Sequence, residues 1–175
     1  MSEWMTALHD WNLDPAAAVA KQREMATRLT LTPPWGASPG EWPATITGVD
    51  IGFEDGGEVT RAAVVTLDLA TLEPLEQQLI RQPTRMLYIP GLLSFRELPA
   101  AIAALESLER APECLMVDGH GIAHPRRLGV AAHLGLWCDL PSFGVAKKRL
   151  CGKHGEPGDE RGDWVALTDR VREAD

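Results

Sequence analysis

Three carboxylates carry the settings that best fit chemistry in this chain: Asp50 in ITGVDIGFE, Glu97 in SFRELPA and Asp118 in LMVDGHG. Asp50 and Asp118 each end or interrupt an apolar run of β character, Ile46-Thr47-Gly48-Val49 and Cys114-Leu115-Met116-Val117. An acid at the mouth of a buried strand is costly unless its charge is compensated, and hard divalent cations are the usual compensators. Glu97 is predicted near the start of a helix, from which a third oxygen could swing toward the same ion. If the three meet, they form a magnesium site of the kind that cleaves phosphodiesters.

Each candidate has a competing structural reading. A lone Asp such as Asp50 commonly closes a turn or a strand. Asp118 is harder to assign that way, because Gly119 and Gly121 after it would let a ligand approach the backbone, where open α/β sheets bind ligands. Ser94-Phe95-Arg96-Glu97 is also a capping box, in which Glu97 would only satisfy a helix amide. Both readings of Glu97 stand open. His120 and His124 have the spacing of two zinc ligands on one helix face, but Gly119, Gly121 and Pro125 oppose a helix and no Glu follows the first His. His133 falls inside a helical pattern and reads as structural. Lys147 follows the apolar strand of PSFGVAKKRL, where its ammonium could reach a phosphate; solvation explains Lys148 and Arg149 equally well. In RMLYIPGLLSF, the chain's single tyrosine, Tyr88, precedes a stiff Pro90 and a flexible Gly91. Its ring is either a wedge that stacks where a base has been displaced or an anchor that ties the loop to the core.

These residues need elements to position them. Asp14-Pro15 predicts a helix start, and the Ala-rich run to Leu29 continues it. Residues 32–44, with Pro33, Pro34, Gly36, Pro39, Gly40 and Pro43, predict a loop. Strands are expected at 45–53, 60–68 and 74–82, the first two joined as a hairpin by Glu54-Asp55-Gly56-Gly57. A helix over 95–109 would stack Phe95, Leu98, Ile102, Leu105 and Leu108 on one stripe and stop before Pro112. A strand at 114–118, a helix at 126–136 and a strand at 141–147 complete a βαβ-type unit. The expected fold is α/β, a ribonuclease H-like mixed sheet flanked by helices, in one domain over residues 1–175.

At 45% apolar residues the composition is that of a globular chain, with no run long enough to span a bilayer. MSEWMTALHD has no secretory pattern, and three cysteines (Cys114, Cys138, Cys151) without CxxC spacing fit a reducing, cytoplasmic setting. The net charge of −8 is unevenly spread. Residues 119–153 hold six Lys/Arg against one acid, Asp139, whereas residues 46–118 hold five cations against twelve acids. A basic block beside an acidic one suits a phosphate-binding surface flanking a metal pocket; a mixed solvated surface is the alternative.

GVDIGFE, RAAVVTLDL, YIPGLLSFRE, VDGHGIAHPRRLGVAAHLG and PSFGVAKKRLCGK occur in this order between about Lys21 and Lys153, and together they resemble the endonuclease V family. The resemblance implies Mg2+-dependent cleavage of DNA (Mn2+ substituting) on the 3′ side of deoxyinosine, one nucleotide beyond it, leaving a 3′-hydroxyl and a 5′-phosphate. It implies a monomer that uses no membrane, and inosine in RNA is a further substrate class among relatives. Matched residue by residue, Asp50 and Asp118 correspond to metal ligands and Glu97 to the third acid. Tyr88 matches the wedge tyrosine, and Pro90 and Gly91 shape a lesion pocket beside Gly119 and Gly121. His124 matches the histidine of GIAHPR, and Lys147 the lysine near the backbone phosphate. Members of that family continue with a further strand, a helix and a Gly-His segment, and WVALTDRVREAD contains none. The expectation is therefore a chain short at its C-terminus, with a non-catalytic lesion-binding module as the rival to an enzyme.

Overall fold

The computed structural model describes residues 2–169; the last six residues of WVALTDRVREAD lie outside the described residues. Helix α1 (Pro15–Ala26) begins as expected, with the Asp14 carboxylate accepting from the Ala17 amide at 2.9 Å and Pro15 in the first turn. β1 (Thr45–Glu54) and β2 (Val59–Asp68) form an antiparallel hairpin whose turn uses Gly56 and Gly57 at φ 67° and 100°. β3 (Pro74–Pro83) adds antiparallel to β2. α2 (Leu93–Glu106), β4 (Leu115–Asp118), α3 (Val130–Cys138) and β5 (Ser142–Val145) follow. β4 pairs parallel with β1, and β5 parallel with β4. The resulting order, β3-β2-β1-β4-β5, is the ribonuclease H-like mixed sheet expected from the sequence.

The core lies between one sheet face and the two central helices. Val49, Ala62, Val64, Leu115 and Val117 meet Leu98, Ile102, Leu105, Val130 and Leu134 in one cluster. Strand alternation then sends Asp50 and Asp118 to the opposite face, beside the core-facing Val49 and Val117. Parallel register aligns Val49 with Val117, so the two acids that follow lie on neighbouring strands at one level.

Two boundaries differ from the sequence reading in ways that matter. α2 starts at Leu93 rather than 95, which places Ser94 inside the helix and removes the expected capping box. Ser94 turns instead to the buried His133, its Oγ 2.8 Å from Nδ1. α3 starts at Val130 rather than 126, leaving Arg126 and Arg127 in the preceding loop, with Arg127 at φ 58°. Gly129 caps α3, and a Cβ there would collide with the His120 carbonyl.

His133 belongs to a hydrogen-bond chain with only one neutral arrangement. The Asp10 carbonyl can only accept, so His9 Nδ1 donates to it at 2.9 Å. His9 Nε2 therefore accepts from His133 Nε2–H at 2.7 Å, and His133 Nδ1 accepts from Ser94. Burial lowers the pKa of His9 and holds that of His133 down at about 3. A histidine with a depressed folded pKa stabilises the fold above its unfolded value near 6.5, and that contribution disappears as pH falls toward 3. Melting curves between pH 7 and pH 4 should show stability falling by up to about 1.4 kcal/mol per pH unit from His133 alone. His133→Gln should flatten that slope; an unchanged slope would remove His133 as its source.

Candidate active site

Glu97 projects from the first turns of α2 and is 8% exposed. Desolvation raises its pKa to about 8; the neighbouring Arg96 opposes the shift, and the charges of Asp118 and Asp50 add to it. The buried carboxyl thus feels both other acids, and its structural competitor, the capping role, is gone. Asp50 lies within β1, paired across from Ala63, rather than at a strand end, and it is exposed. Asp118 ends β4 and is half-buried.

Lys147, beyond the end of β5, forms an ion pair with Asp118 Oδ2. That hydrogen bond is the first cause of its raised pKa, and the charges of Asp118 and Asp50 add to it. An ammonium thus sits among carboxylates where cationic charge is needed. Among the described residues no group of three or more His, Cys, Asp or Glu side chains is placed to hold a metal ion together. Asp118 and Asp50 act on Glu97 through their charge, with no hydrogen bond among the three acids.

Gly119, at φ 149°, follows Asp118 and packs so tightly that a Cβ would collide with Val130. Gly121 lies against Gly144 of β5, where a Cβ would stand 3.8 Å from the Gly144 amide. Residues 119–129 form no helix, so the two histidines do not share a face. His120 Nε2 donates to the Lys148 carbonyl at 2.7 Å. His124 is 5% exposed, accepts the Arg126 amide on Nδ1 at 3.1 Å and bonds to the Gly91 backbone. Burial first, and then the Arg126 charge, lowers its pKa to about 4.

Tyr88 is 62% exposed, which rules out the core-anchor reading of its ring. The anchors are its neighbours: Met86 and Ile89 pack against the buried cluster of Ala18, Leu92 and Phe95. Gly91 adopts φ 80°, a left-handed conformation that Pro90 cannot share. Sequence reading missed Gln22, which is fully buried at the loop's base. Its signal was available: Ala18, Gln22 and Met25 fall at i, i+4 and i+7, so an amide occupies the apolar stripe of α1.

The endonuclease V family model matches residues 23–174. The chain belongs to the endonuclease V family. The endonuclease V of Azotobacter vinelandii is 54% identical over 160 residues, covering 90% of this chain and 69% of that protein. That of Xanthomonas campestris is 53% identical over 153 residues, covering 87% of this chain and 63% of the relative. The chain thus spans about two thirds of the length of the endonuclease V proteins it matches. The crystal structure of Streptomyces avermitilis endonuclease V superposes with a TM-score of 0.80 at 38% identity, over 90% of this chain and 68% of that one. A Ciona intestinalis endonuclease V, in complex with a 24mer DNA containing an inosine followed by a ribo-adenosine, shares the fold. It has a TM-score of 0.64 and 24% identity, over 78% of this chain and 59% of that one. The family is one of nucleases, and among the described residues no helix is long and apolar enough to cross a membrane.

Proposed function

We propose that this chain is a divalent-cation-dependent endonuclease that cuts DNA on the 3′ side of deoxyinosine, one nucleotide beyond the lesion, leaving a 3′-hydroxyl and a 5′-phosphate. The observation that carries this reading is the charge coupling of Asp50, within β1, and Asp118, at the end of β4 and level with it, to the buried carboxyl of Glu97 in the first turns of α2. The donors fit Mg2+, with Mn2+ as substitute, because all three are carboxylates and no thiolate stands among them. One or two such ions, when bound, would supply Lewis acidity to the scissile phosphate and lower the pKa of the attacking water.

The protein's own residues do the rest. Glu97 keeps its proton up to about pH 8 and must release it to act as an oxygen ligand. Lys147, 82% exposed at its side chain, can leave Asp118 for a backbone phosphate. Tyr88, exposed on its loop, would fill the gap in the stack when the inosine rotates out. Pro90, Gly91, Gly119 and Gly121 would line the pocket for the base, and buried His124 holds the Gly91 backbone in place. Backbone amides there would donate to O6 of hypoxanthine, where adenine carries an amine instead.

The test is a labelled duplex with one deoxyinosine, incubated with the chain in Mg2+, in Mn2+ and in chelator. Nicking that needs the cation and maps one nucleotide 3′ of the lesion is expected. Binding to the lesion without nicking in either cation would instead make the chain a non-catalytic binding module. The same assay on inosine-containing RNA decides the preferred nucleic acid.

Glu97→Gln separates ligand from structure by moving two quantities in opposite directions. An acid whose folded pKa is raised destabilises the fold progressively as pH rises from its unfolded value near 4.5 to the folded value near 8. The neutral isostere removes that penalty, so the melting temperature at pH 7 should rise. Cleavage should fall by more than about tenfold, because a ligand charge is lost. Raised stability with unchanged cleavage would return Glu97 to structure alone.

A further inference from the structure

The segment that carries Tyr88 is fixed at both ends. At its start, the Thr84 amide donates to the Glu58 carbonyl at 2.8 Å, and Thr84 Oγ1 lies 2.8 Å from Thr60 Oγ1. At its end, several donors converge on one backbone oxygen. Gln22 Nε2 donates to the Gly91 carbonyl at 2.8 Å, and Arg126 Nη2 donates to the same oxygen at 2.8 Å. Arg126 Nε donates to Gln22 Oε1 at 2.5 Å, which closes a triangle of side chain, side chain and backbone. His124 bonds to the Gly91 backbone as well, so the side chains of three residues hold this one residue of the loop. The triangle also explains the glycine: a Cβ at position 91 would stand 2.5 Å from Arg126 Nη2.

We infer that Gln22 and Arg126 are positioning residues for Tyr88, clamping the Gly91 carbonyl so that the exposed ring is presented at a fixed height and angle to the duplex. The inference rests on the proposed role of Tyr88 in lesion recognition. A buried amide on an apolar helix stripe is unfavourable unless its polar atoms are used, and here both ends of the Gln22 amide are used in the clamp. Arg126 belongs to the basic block that would otherwise read as a phosphate contact, but its guanidinium is committed to the loop. The span from Arg85 to Pro90 hangs between the two fixed ends, with Met86 and Ile89 lodged in the apolar cluster and Leu87 and Tyr88 outward. Losing one end would leave the ring attached but unaimed.

Gln22→Met keeps the volume and apolar packing of the site and removes both hydrogen bonds, while Arg126→Lys keeps the charge and removes the fork. Three readouts apply to each variant: the rate of tryptic cutting after Arg85, affinity for an inosine-containing duplex, and affinity for the same duplex without the lesion. Cutting after Arg85 should accelerate by at least about fivefold, the effect of a single lost hydrogen bond, and inosine affinity should weaken by a similar factor. Affinity for the undamaged duplex should hold. In a Tyr88→Ala background, Gln22→Met should cost no further inosine affinity, because an absent ring cannot be misaimed. Arg126→Lys that keeps full inosine affinity, or losses that add fully to Tyr88→Ala, would overturn the clamp. A wild-type chain that fails to discriminate inosine would sink the proposed function, while the proteolysis arm would still confirm or overturn the clamp itself.

Discussion

Asp118→Ala or Asp50→Ala should lower cleavage of an inosine-containing duplex by at least about a hundredfold, since a catalytic cation contributes several kcal/mol and each 1.4 kcal/mol is a factor of ten. Lesion affinity should survive, because neither carboxylate reads the base. Stability should hold or rise. Asp50 is exposed, and the Asp118–Lys147 pair, with the lysine 82% exposed, is of the kind that contributes little. Single-turnover cleavage together with a melting curve checks both halves. Cleavage within about tenfold of wild type for either variant would remove the metal-site account.

Tyr88→Ala should weaken binding to the inosine duplex by about 1–3 kcal/mol, the range for one base on one aromatic ring. Tyr88→Phe should lose less, because the ring rather than the hydroxyl does the stacking. The melting temperature should hardly move in either variant, since a side chain 62% exposed leaves no cavity behind. Fluorescence anisotropy and thermal melts on the three proteins test this. An Ala variant that melts several degrees lower yet still selects inosine would end the wedge assignment.

The sheet was legible because its signals are local. The Glu54-Asp55-Gly56-Gly57 turn, the alternation of β2 and the apolar run ending at Asp118 each name one element, and the pairing order follows from them. The third acid was less legible. SFRE reads as a capping box until the helix start shifts back to Leu93, and that shift is made by packing: His133, on a helix 39 residues further along, takes the Ser94 hydroxyl. The sequence could not place the start of α3 either, since Gly129 is required there by the approach of the His120 carbonyl rather than by any local propensity. The sequence alone does not separate wedge from anchor at Tyr88, because burial is a tertiary property. Its neighbours Met86 and Ile89 took the anchoring role. Gln22 was missed although its stripe position marked it, because a single amide among alanines and charges carries weight only when its partner, Gly91, is known.

The central claim is that Asp50, Glu97 and Asp118 form one cation site, and Mn2+ binding followed by electron paramagnetic resonance tests it most directly. Titrating the wild-type chain, Asp50→Ala, Glu97→Gln and Asp118→Ala with Mn2+ should show saturable binding in the first and weakening of at least about tenfold in each of the others, the loss expected when a ligand is removed. Mn2+ bound as tightly by all three variants as by the wild type would contradict the account.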